Sequence, residues 1–256
     1  MFLFRVQSYL NYWLRCVDKH SLHSPFFYDF YTKVIASNTK EVNQLAETLR
    51  QKLLDKQQPI SFTDMGMYKG KKVITSVHHI AKKSVSHKKF SEIYLKAIQY
   101  FNAKQIVELG TSLGINSLYL SYENKTTLHT FEGVAEIAGI ARDTFFFAEK
   151  TNINLIEGDI QVTLPQFVQK GKKVDFVFID ANHQKEPCLR YFEQLLSISH
   201  SKTVFVLDDI HHNPSMKEAW ETIKRHPLVY GSADLYRCGF VFLDSSINRQ
   251  HWQLEV

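Results

Sequence analysis

The stretch from Gln105 to Leu120 constrains the fold more than any other part of the sequence. It reads Gln105-Ile-Val-Glu-Leu-Gly-Thr-Ser-Leu-Gly114 and continues as Ile115-Asn-Ser-Leu-Tyr-Leu120, which predicts a short apolar strand, a tight turn and a helix. Gly110 and Gly114 bracket the turn, where a residue without a Cβ adopts positive φ and lets a ligand lie against the backbone. The first amides of the helix lack intrahelical partners and are available to a polar ligand. This unit predicts a ligand-binding edge of an open α/β sheet.

Strand and helix patterns alternate regularly from residue 105 onward. The alternation predicts right-handed crossovers and a mostly parallel sheet covered by helices on both faces, which is a doubly wound α/β fold. The last two β-rich runs are separated by only a few residues, and so short a connection joins antiparallel strands. We therefore predict seven strands, the last of them antiparallel. They are Gln105–Gly110, Leu128–Glu132, Asn154–Glu157, Val174–Asp180, Thr203–Asp208, Leu228–Leu235 and Gly239–Leu243.

The first hundred residues precede this alternation. We predict that residues 1–100 form a helical extension, and that residues 101–256 form the ligand-binding domain. The first helix has an apolar stripe, which favours packing on its own domain over lying on a membrane. Lysines in the segment 69–89 are interpreted as a solvated face, with contact to an acidic substrate or a nucleic acid as the alternative. The stripe consists of Phe2, Val6, Tyr9, Leu10, Trp13, Leu14 and Val17.

Composition excludes several classes of protein. An apolar content of 44% and a formal charge of +5 are ordinary for a globular chain of 256 residues. No apolar run approaches the ~20 residues that span a bilayer, so we expect no integral membrane association. Basic residues interrupt the apolar start, which does not resemble a signal peptide. Three widely spaced cysteines argue against a disulfide framework or a zinc knuckle and favour the cytoplasm. They are Cys16, Cys188 and Cys238.

Acidic residues occur at the ends of the predicted strands, except Glu108, which lies within the first strand two residues before Gly110. Glu132 lies about twenty residues past the glycine turn, where an acid accepts hydrogen bonds from two ribose hydroxyls. A single acid is often a helix N-cap, and this interpretation suits Asp159. Several like charges that converge on one edge are destabilising unless a cation or a ligand is bound. The acids are Glu108, Glu132, Asp159, Asp180, Asp208 and Asp209.

Glu108-Leu-Gly110-Thr-Ser-Leu-Gly114 resembles the first motif of class I S-adenosylmethionine-dependent methyltransferases, and the resemblance covers residues 100–244. It implies a Rossmann-like fold, with S-adenosyl-L-methionine as the cofactor. It also implies that Glu132 binds the ribose and that Asp159 contacts the adenine. The cofactor contacts implied in this way are Glu108, Gly110, Thr111, Ser112, Gly114, Glu132, Gly133, Asp159 and Asp180.

Within that family the sequence is most similar to the catechol O-methyltransferase-like branch, whose members bind a divalent metal with two Asp and one Asn. Asp209 stands where the Asn would be. Mg²⁺ or Mn²⁺ would suit the three carboxylates and would lower the pKa of the attacked hydroxyl. Asp180, His183 and His211 are the candidate catalytic residues, and a surface or supporting role is the alternative for each histidine, His212 included. The implied metal ligands are Asp180, Asp208 and Asp209.

The leading prediction is an O-methyltransferase that acts on a small molecule, and a homodimer is compatible with it. Methylation of RNA or protein is an alternative, but Asp180-Ala-Asn-His183 follows the fourth strand where base-nitrogen methylating relatives carry Asn/Asp-Pro-Pro-aromatic. A non-catalytic cofactor-binding module is a further alternative. A nicotinamide enzyme is disfavoured because Ser112 occupies the second glycine position of its fingerprint. The segments His20–Phe26 and Asp208–His211 are similar to those of a group of bacterial methyltransferases. This resemblance implies that the helices of residues 1–100 cover the ligand-binding edge.

Overall fold

The computed structural model describes residues 2–37, 43–64, 70–84 and 86–256, and the side chains of residues 2 and 84 are not described. The chain forms two compact units. Unit 1 comprises Met1–Asn38 and Gly171–Val256, and unit 2 comprises Thr39–Lys170. The sequence analysis placed a boundary at residue 100, between a helical extension and a ligand-binding domain. That division of roles stays a prediction.

Unit 2 contains the glycine turn and three parallel strands in the order β3-β4-β5. Its buried core packs α6 and α7 with apolar residues of α3, α4 and α5. Its elements are α3 (Gln44–Asp55), β1 (Pro59–Thr63), β2 (Lys72–Ser76), α4 (Val77–Ser84), α5 (Lys88–Tyr100), β3 (Gln105–Leu109), α6 (Ile115–Leu120), β4 (Thr127–Glu132), α7 (Ala135–Phe147), β5 (Ile153–Glu157) and α8 (Ile160–Val168).

Unit 1 contains five strands in the order β10-β8-β9-β7-β6. β9 is antiparallel to both β7 and β8, whereas β6 is parallel to β7 and β10 is parallel to β8. Its elements are α1 (Phe2–Trp13), a 3₁₀ turn (Lys19–Ser21), α2 (Pro25–Phe30), a π-helical turn (Tyr31–Ile35), β6 (Phe176–Ile179), α9 (Lys185–Leu196), β7 (Val204–Leu207), α10 (Pro214–Lys224), β8 (Gly231–Asp234), β9 (Gly239–Phe242) and β10 (Gln250–Gln253).

The predicted α/β fold class is confirmed, because β3 to β10 form one mostly parallel sheet of eight strands flanked by helices. The antiparallel strand near the end of the chain is β9. The eighth strand, β10, was not predicted because its sequence Gln250-His-Trp-Gln253 lacks the apolar alternation of a strand that faces a core.

The predicted helical extension contains a β-hairpin that the sequence analysis missed. β1 and β2 pair antiparallel over Pro59–Thr63 and Lys72–Ser76. Ile60 and Phe62 alternate with exposed residues and pack against the core of unit 2. Residues 65–69 and residue 85 lie outside the described residues. They include Lys69, the first residue of the lysine-rich segment 69–89.

The first helix does not pack as predicted. Most of its apolar stripe is exposed, whereas Ser8 and Tyr12 are buried. Among the residues that the structure describes, no helix has both the length and the apolar character needed to cross a membrane.

Candidate functional site

The glycine turn after β3 has a backbone that most residues adopt with strain. φ is +99° at Gly110, +49° at Ser112 and +84° at Gly114. A Cβ on Gly114 would lie 2.7 Å from Cε1 of Phe145, so a side chain at this position would also clash. The amides of Gly110 and Thr111 both donate to the carbonyl of Phe131, at 3.0 and 3.1 Å. The turn is therefore held against the end of β4.

Glu132 ends β4 and faces the turn. Its carboxylate accepts the amide of Ser112 at 2.9 Å and the amide of Val134 at 3.0 Å. Burial raises the pKa of Glu132, although hydrogen bonds from backbone amides, including that of Gly133, act in the opposite direction. We call Gly110–Gly114 together with Glu132 the turn site. The predicted juxtaposition of Glu132 and the turn is present.

Ser112 contributes a hydroxyl that the protein leaves unused. Its Oγ is buried, and among the residues that the structure describes it has no hydrogen-bond partner. A buried polar group without a partner is unfavourable, and such groups in native sites are commonly completed by a ligand or a water molecule. The turn site therefore fits a ligand that carries polar atoms, as the predicted cofactor does.

Glu108 was expected to contact the cofactor, but its carboxylate is hydrogen-bonded to side chains of the protein. It is fully buried, and its carboxylate accepts hydrogen bonds from Asn116 at 3.0 Å, Ser117 at 2.5 Å and Thr130 at 2.7 Å. Burial raises its pKa to about 7, against the effect of those three hydrogen bonds. Glu108 therefore ties α6 to β4 and supports the turn. No pattern in the sequence distinguishes its three partners from other polar residues.

Two further predicted cofactor residues have local structural partners. Oγ1 of Thr111 lies 2.6 Å from Oγ1 of Thr130 in the interior. Asp159 is the N-cap of α8 and accepts the amide of Gln161 at 2.9 Å, which is the capping role that the sequence left open. The predicted contact of Asp159 with an adenine stays a prediction.

In unit 1 two loops bring acids and histidines together. We call Asp180, His183, Asp209 and His212 the histidine cluster. Nε2 of His183 lies 3.6 Å from Oδ1 of Asp180, and Nδ1 of His212 lies 3.4 Å from Oδ2 of Asp209. The two imidazole rings stack at 5.5 Å between centroids. φ is positive at His183 and Asp209, a strain that often accompanies functional sites.

His183 and Asp209 both have pKa values below their ordinary values, for different reasons. Burial lowers the pKa of His183, and the neighbouring charge of Asp209 only partly opposes this. Burial would raise the pKa of Asp209, but a hydrogen bond from His212 and the charges of His183 and Arg237 outweigh it, so the pKa is lowered. His183 is thus favoured as a neutral base beside an ionised carboxylate.

Arg237 was not identified from the sequence. Its Nη2 donates to Oδ2 of Asp208 at 3.2 Å, and the side chain of Asp208 is only 1% exposed. Arg237 lies in the short connection between β8 and β9, and β9 begins beside the end of β7, where Asp208 follows. That location was the one signal in the sequence that could have placed Arg237 near Asp208. The guanidinium supplies the positive charge that a buried carboxylate needs.

His211 lies outside the histidine cluster. Its Nδ1 is 2.8 Å from Oγ of Ser8, and its Nε2 is 2.9 Å from Oδ2 of Asp234. The ring also stacks on Tyr236 at 5.1 Å. All three hydrogen-bonded residues are buried. The geometry gives His211 the role of joining α1 to β8, and its predicted catalytic role stays a prediction.

The predicted metal ligands have side-chain partners within the protein, and their metal-binding role stays a prediction. Asp208 is already paired with Arg237, and Asp209 is paired with His212. Across residues 2–37, 43–64, 70–84 and 86–256, no group of three or more His, Cys, Asp or Glu side chains is arranged to hold a metal.

Comparison with known proteins identifies the fold. Residues 107–210 match a family model described as a methyltransferase domain. The O-methyltransferase of Bacillus cereus in complex with SAH is similar at TM-score 0.55 and 21% identity, covering 62% of this chain and 82% of that chain. An O-methyltransferase of tomaymycin synthesis from Streptomyces achromogenes, in complex with SAM, is similar at TM-score 0.57 and 19% identity, covering 63% and 82%. An SAH-bound methyltransferase from Podospora anserina is similar at TM-score 0.57 and 15% identity, covering 82% and 99%.

No curated protein sequence matches the chain. The matched segment includes the whole turn site and extends to the loop after β7. The segment 107–210 is therefore similar to a methyltransferase domain, and the chain has the α/β fold of these solved structures.

Proposed function

We propose that the protein transfers a methyl group from S-adenosylmethionine to an oxygen atom of a small molecule. The similarity of residues 107–210 to a methyltransferase domain supports the reaction type. Structures of similar fold contain SAM or SAH, which supports the cofactor. The small-molecule acceptor is supported by the O-methyltransferases among those structures, and its identity is not assigned.

The observation that carries the proposal is the combination of Glu132 and Ser112. Glu132 presents a carboxylate at the end of β4, and Ser112 presents a buried hydroxyl with no partner among the described residues. A carboxylate accepts two hydrogen bonds from neighbouring hydroxyls, which is the pattern of a ribose. Unit 2 would bind the cofactor through these two side chains and the backbone of the turn.

The histidine cluster of unit 1 would provide the acid–base chemistry. Bound S-adenosylmethionine supplies an activated methyl group on a positively charged sulfur. His183 takes the proton of the acceptor hydroxyl, and its lowered pKa keeps the imidazole neutral and able to do so. Asp209 stabilises the imidazolium that results. The remaining contribution of the protein is to position the acceptor and exclude water.

The chemistry proposed for these residues does not pass through a metal. Arg237 pairs with Asp208, which supports the view that a guanidinium provides the charge that a divalent ion provides in the catechol O-methyltransferase-like branch. The predicted Mg²⁺ or Mn²⁺ is therefore not part of the proposal.

Calorimetric titration with S-adenosylhomocysteine tests the cofactor site. We expect the wild-type protein to bind it and Glu132→Gln to bind it about tenfold to a hundredfold more weakly, because a hydrogen bond to a charged group contributes about 1.5–3 kcal/mol. Glu123→Gln is a matched control: Glu123 precedes β4 at its opposite end and pairs with Lys125. The proposal fails if the wild-type protein does not bind the compound at millimolar concentration, or if both variants bind it equally to the wild type.

A further inference from the structure

The side chain of Arg5, on α1, lies against His212 of the histidine cluster. Its Nε donates to the carbonyl of His212 at 3.1 Å, and its Nη2 lies 2.9 Å from Nδ1 and 3.2 Å from Nε2 of the same residue. A guanidinium is planar and holds its donors in a fixed arrangement. Because one rigid group contacts both the backbone and the ring of His212, it restricts the rotation of the imidazole.

The backbone of Arg5 is itself held in place. The hydroxyl of Tyr236 donates to the carbonyl of Arg5 at 3.0 Å, and the amide of Tyr236 donates to Oδ1 of Asp234 at 2.8 Å. Oδ2 of Asp234 lies 2.9 Å from Nε2 of His211, which precedes His212 in the chain. These contacts close a ring that runs from Arg5 through the two histidines and back. Polar groups joined in such a network stabilise one another's positions.

His212 connects this network to the proposed base. Its ring stacks on that of His183, with 5.5 Å between centroids and 23° between the ring planes. Its Nδ1 lies 3.4 Å from Oδ2 of Asp209, the carboxylate that stabilises the imidazolium in the proposed reaction. A catalytic group displaced by about 1 Å can lose roughly a hundredfold in rate. The orientation of the His212 ring therefore matters to the base beside it.

We infer that Arg5 is a positioning residue for the acid–base step, because it holds the ring of His212 in the orientation that packs against His183. The inference rests on the proposed function, in which His183 is the base. Arg5 acts through His212 and not on the acceptor. The first helix thereby contributes to the acid–base site as well as to the stability of unit 1.

Nuclear magnetic resonance of the histidine rings tests this inference without an acceptor. Arg5→Gln should shift the ring resonances of both His212 and His183, because the two stacked rings lose their fixed relative orientation. Arg5→Lys should shift them nearly as far, since a single ammonium group cannot contact the carbonyl and the ring together. The resonances are assigned with His183→Gln and His212→Gln.

Arg15→Gln is the matched control, because Arg15 is also exposed and lies just after α1. It should leave both sets of resonances in place, and circular dichroism should show that each variant is folded. With catechol as the probe acceptor, Arg5→Gln should lower kcat about tenfold and leave the KM for S-adenosylmethionine within about twofold of the wild type, since unit 2 binds the cofactor in the proposed function.

The inference is overturned if Arg5→Gln leaves the resonances of His183 and His212 at their wild-type positions. It is also overturned if this variant methylates catechol with the wild-type kcat. A wild-type protein that does not bind S-adenosylhomocysteine would instead remove the proposed function, and the resonances would still show whether Arg5 orients His212. The two failures are therefore distinguishable.

Discussion

Removing Arg237 gives the sharpest test of how the acids at the end of β7 are neutralised. The side chain of Asp208 is 1% exposed and that of Arg237 is 25% exposed. Breaking a buried pair by removing one partner costs about 3–5 kcal/mol. Because Arg237 keeps some contact with water, we expect the lower part of that range, about 3 kcal/mol, for Arg237→Ala.

The assay is urea unfolding of the wild type, Arg237→Ala, Asp208→Asn and the double variant. The double-mutant cycle isolates the pair from the other contacts that each residue makes. We expect a coupling energy of about 2 kcal/mol, and Arg237→Lys should retain part of it because a lysine keeps the charge but not the planar geometry. Coincident transitions by fluorescence and circular dichroism are needed, since two compact units can unfold separately.

The same pair predicts the response to metals. Wild-type methyl transfer should persist after treatment with EDTA and should not increase on addition of Mg²⁺ or Mn²⁺. A coupling energy below about 0.5 kcal/mol, together with activity that requires added Mg²⁺, would refute the reasoning. The carboxylates would then be ligands of an ion, as the sequence first indicated.

Three further predictions concern ionisable residues. His183→Ala should lower the rate of methyl transfer at least a hundredfold. The wild-type rate should rise with pH through an apparent pKa below 6.5, because burial lowers the pKa of His183 and the neutral imidazole is the base. A rate that does not change with pH would contradict this. Glu108 has a folded-state pKa of about 7 against an ordinary 4.5, so its ionisation should reduce stability as pH rises from about 4.5 to 7, by on the order of 3 kcal/mol. Glu108→Gln should remove this pH dependence in chemical unfolding, and equal slopes for both proteins would disprove the assignment. His211→Ala leaves Asp234 buried and should lower stability by about 3 kcal/mol with cofactor affinity unchanged; a stable variant without activity would instead support the catalytic role.

The order of elements could be predicted because the buried strands carry a strong local signal. β6 and β7 are continuous apolar runs, and every residue of both is buried. β10 and the hairpin β1–β2 carry no such signal, because their residues are exposed or only partly buried. Edge strands need only an available partner, so a polar sequence is compatible with them.

The candidate site could be predicted at the level of strand ends but not at the level of roles. Glu108 and Glu132 are both acids on adjacent strands, and the sequence predicted a cofactor contact for each of them. In the fold Glu108 points into the interior and is bonded to three side chains, whereas Glu132 faces the turn. Periodicity assigns a residue to a strand, but the environment of its carboxylate depends on what packs above it.

The orientation of α1 shows how hydrogen bonding can decide which face of a helix is buried. Asp234 is 3% exposed, and a buried carboxylate without a partner would be strongly destabilising. The carboxylate accepts the amide of Tyr236 at 2.8 Å and lies 2.9 Å from Nε2 of His211, whose Nδ1 then needs a partner in the same interior. Ser8 provides that partner, and α1 can place Ser8 inward only by turning its leucines outward. The apolar pattern predicted the opposite face because it counts apolar area alone and contains no information about a carboxylate more than 200 residues further along the chain.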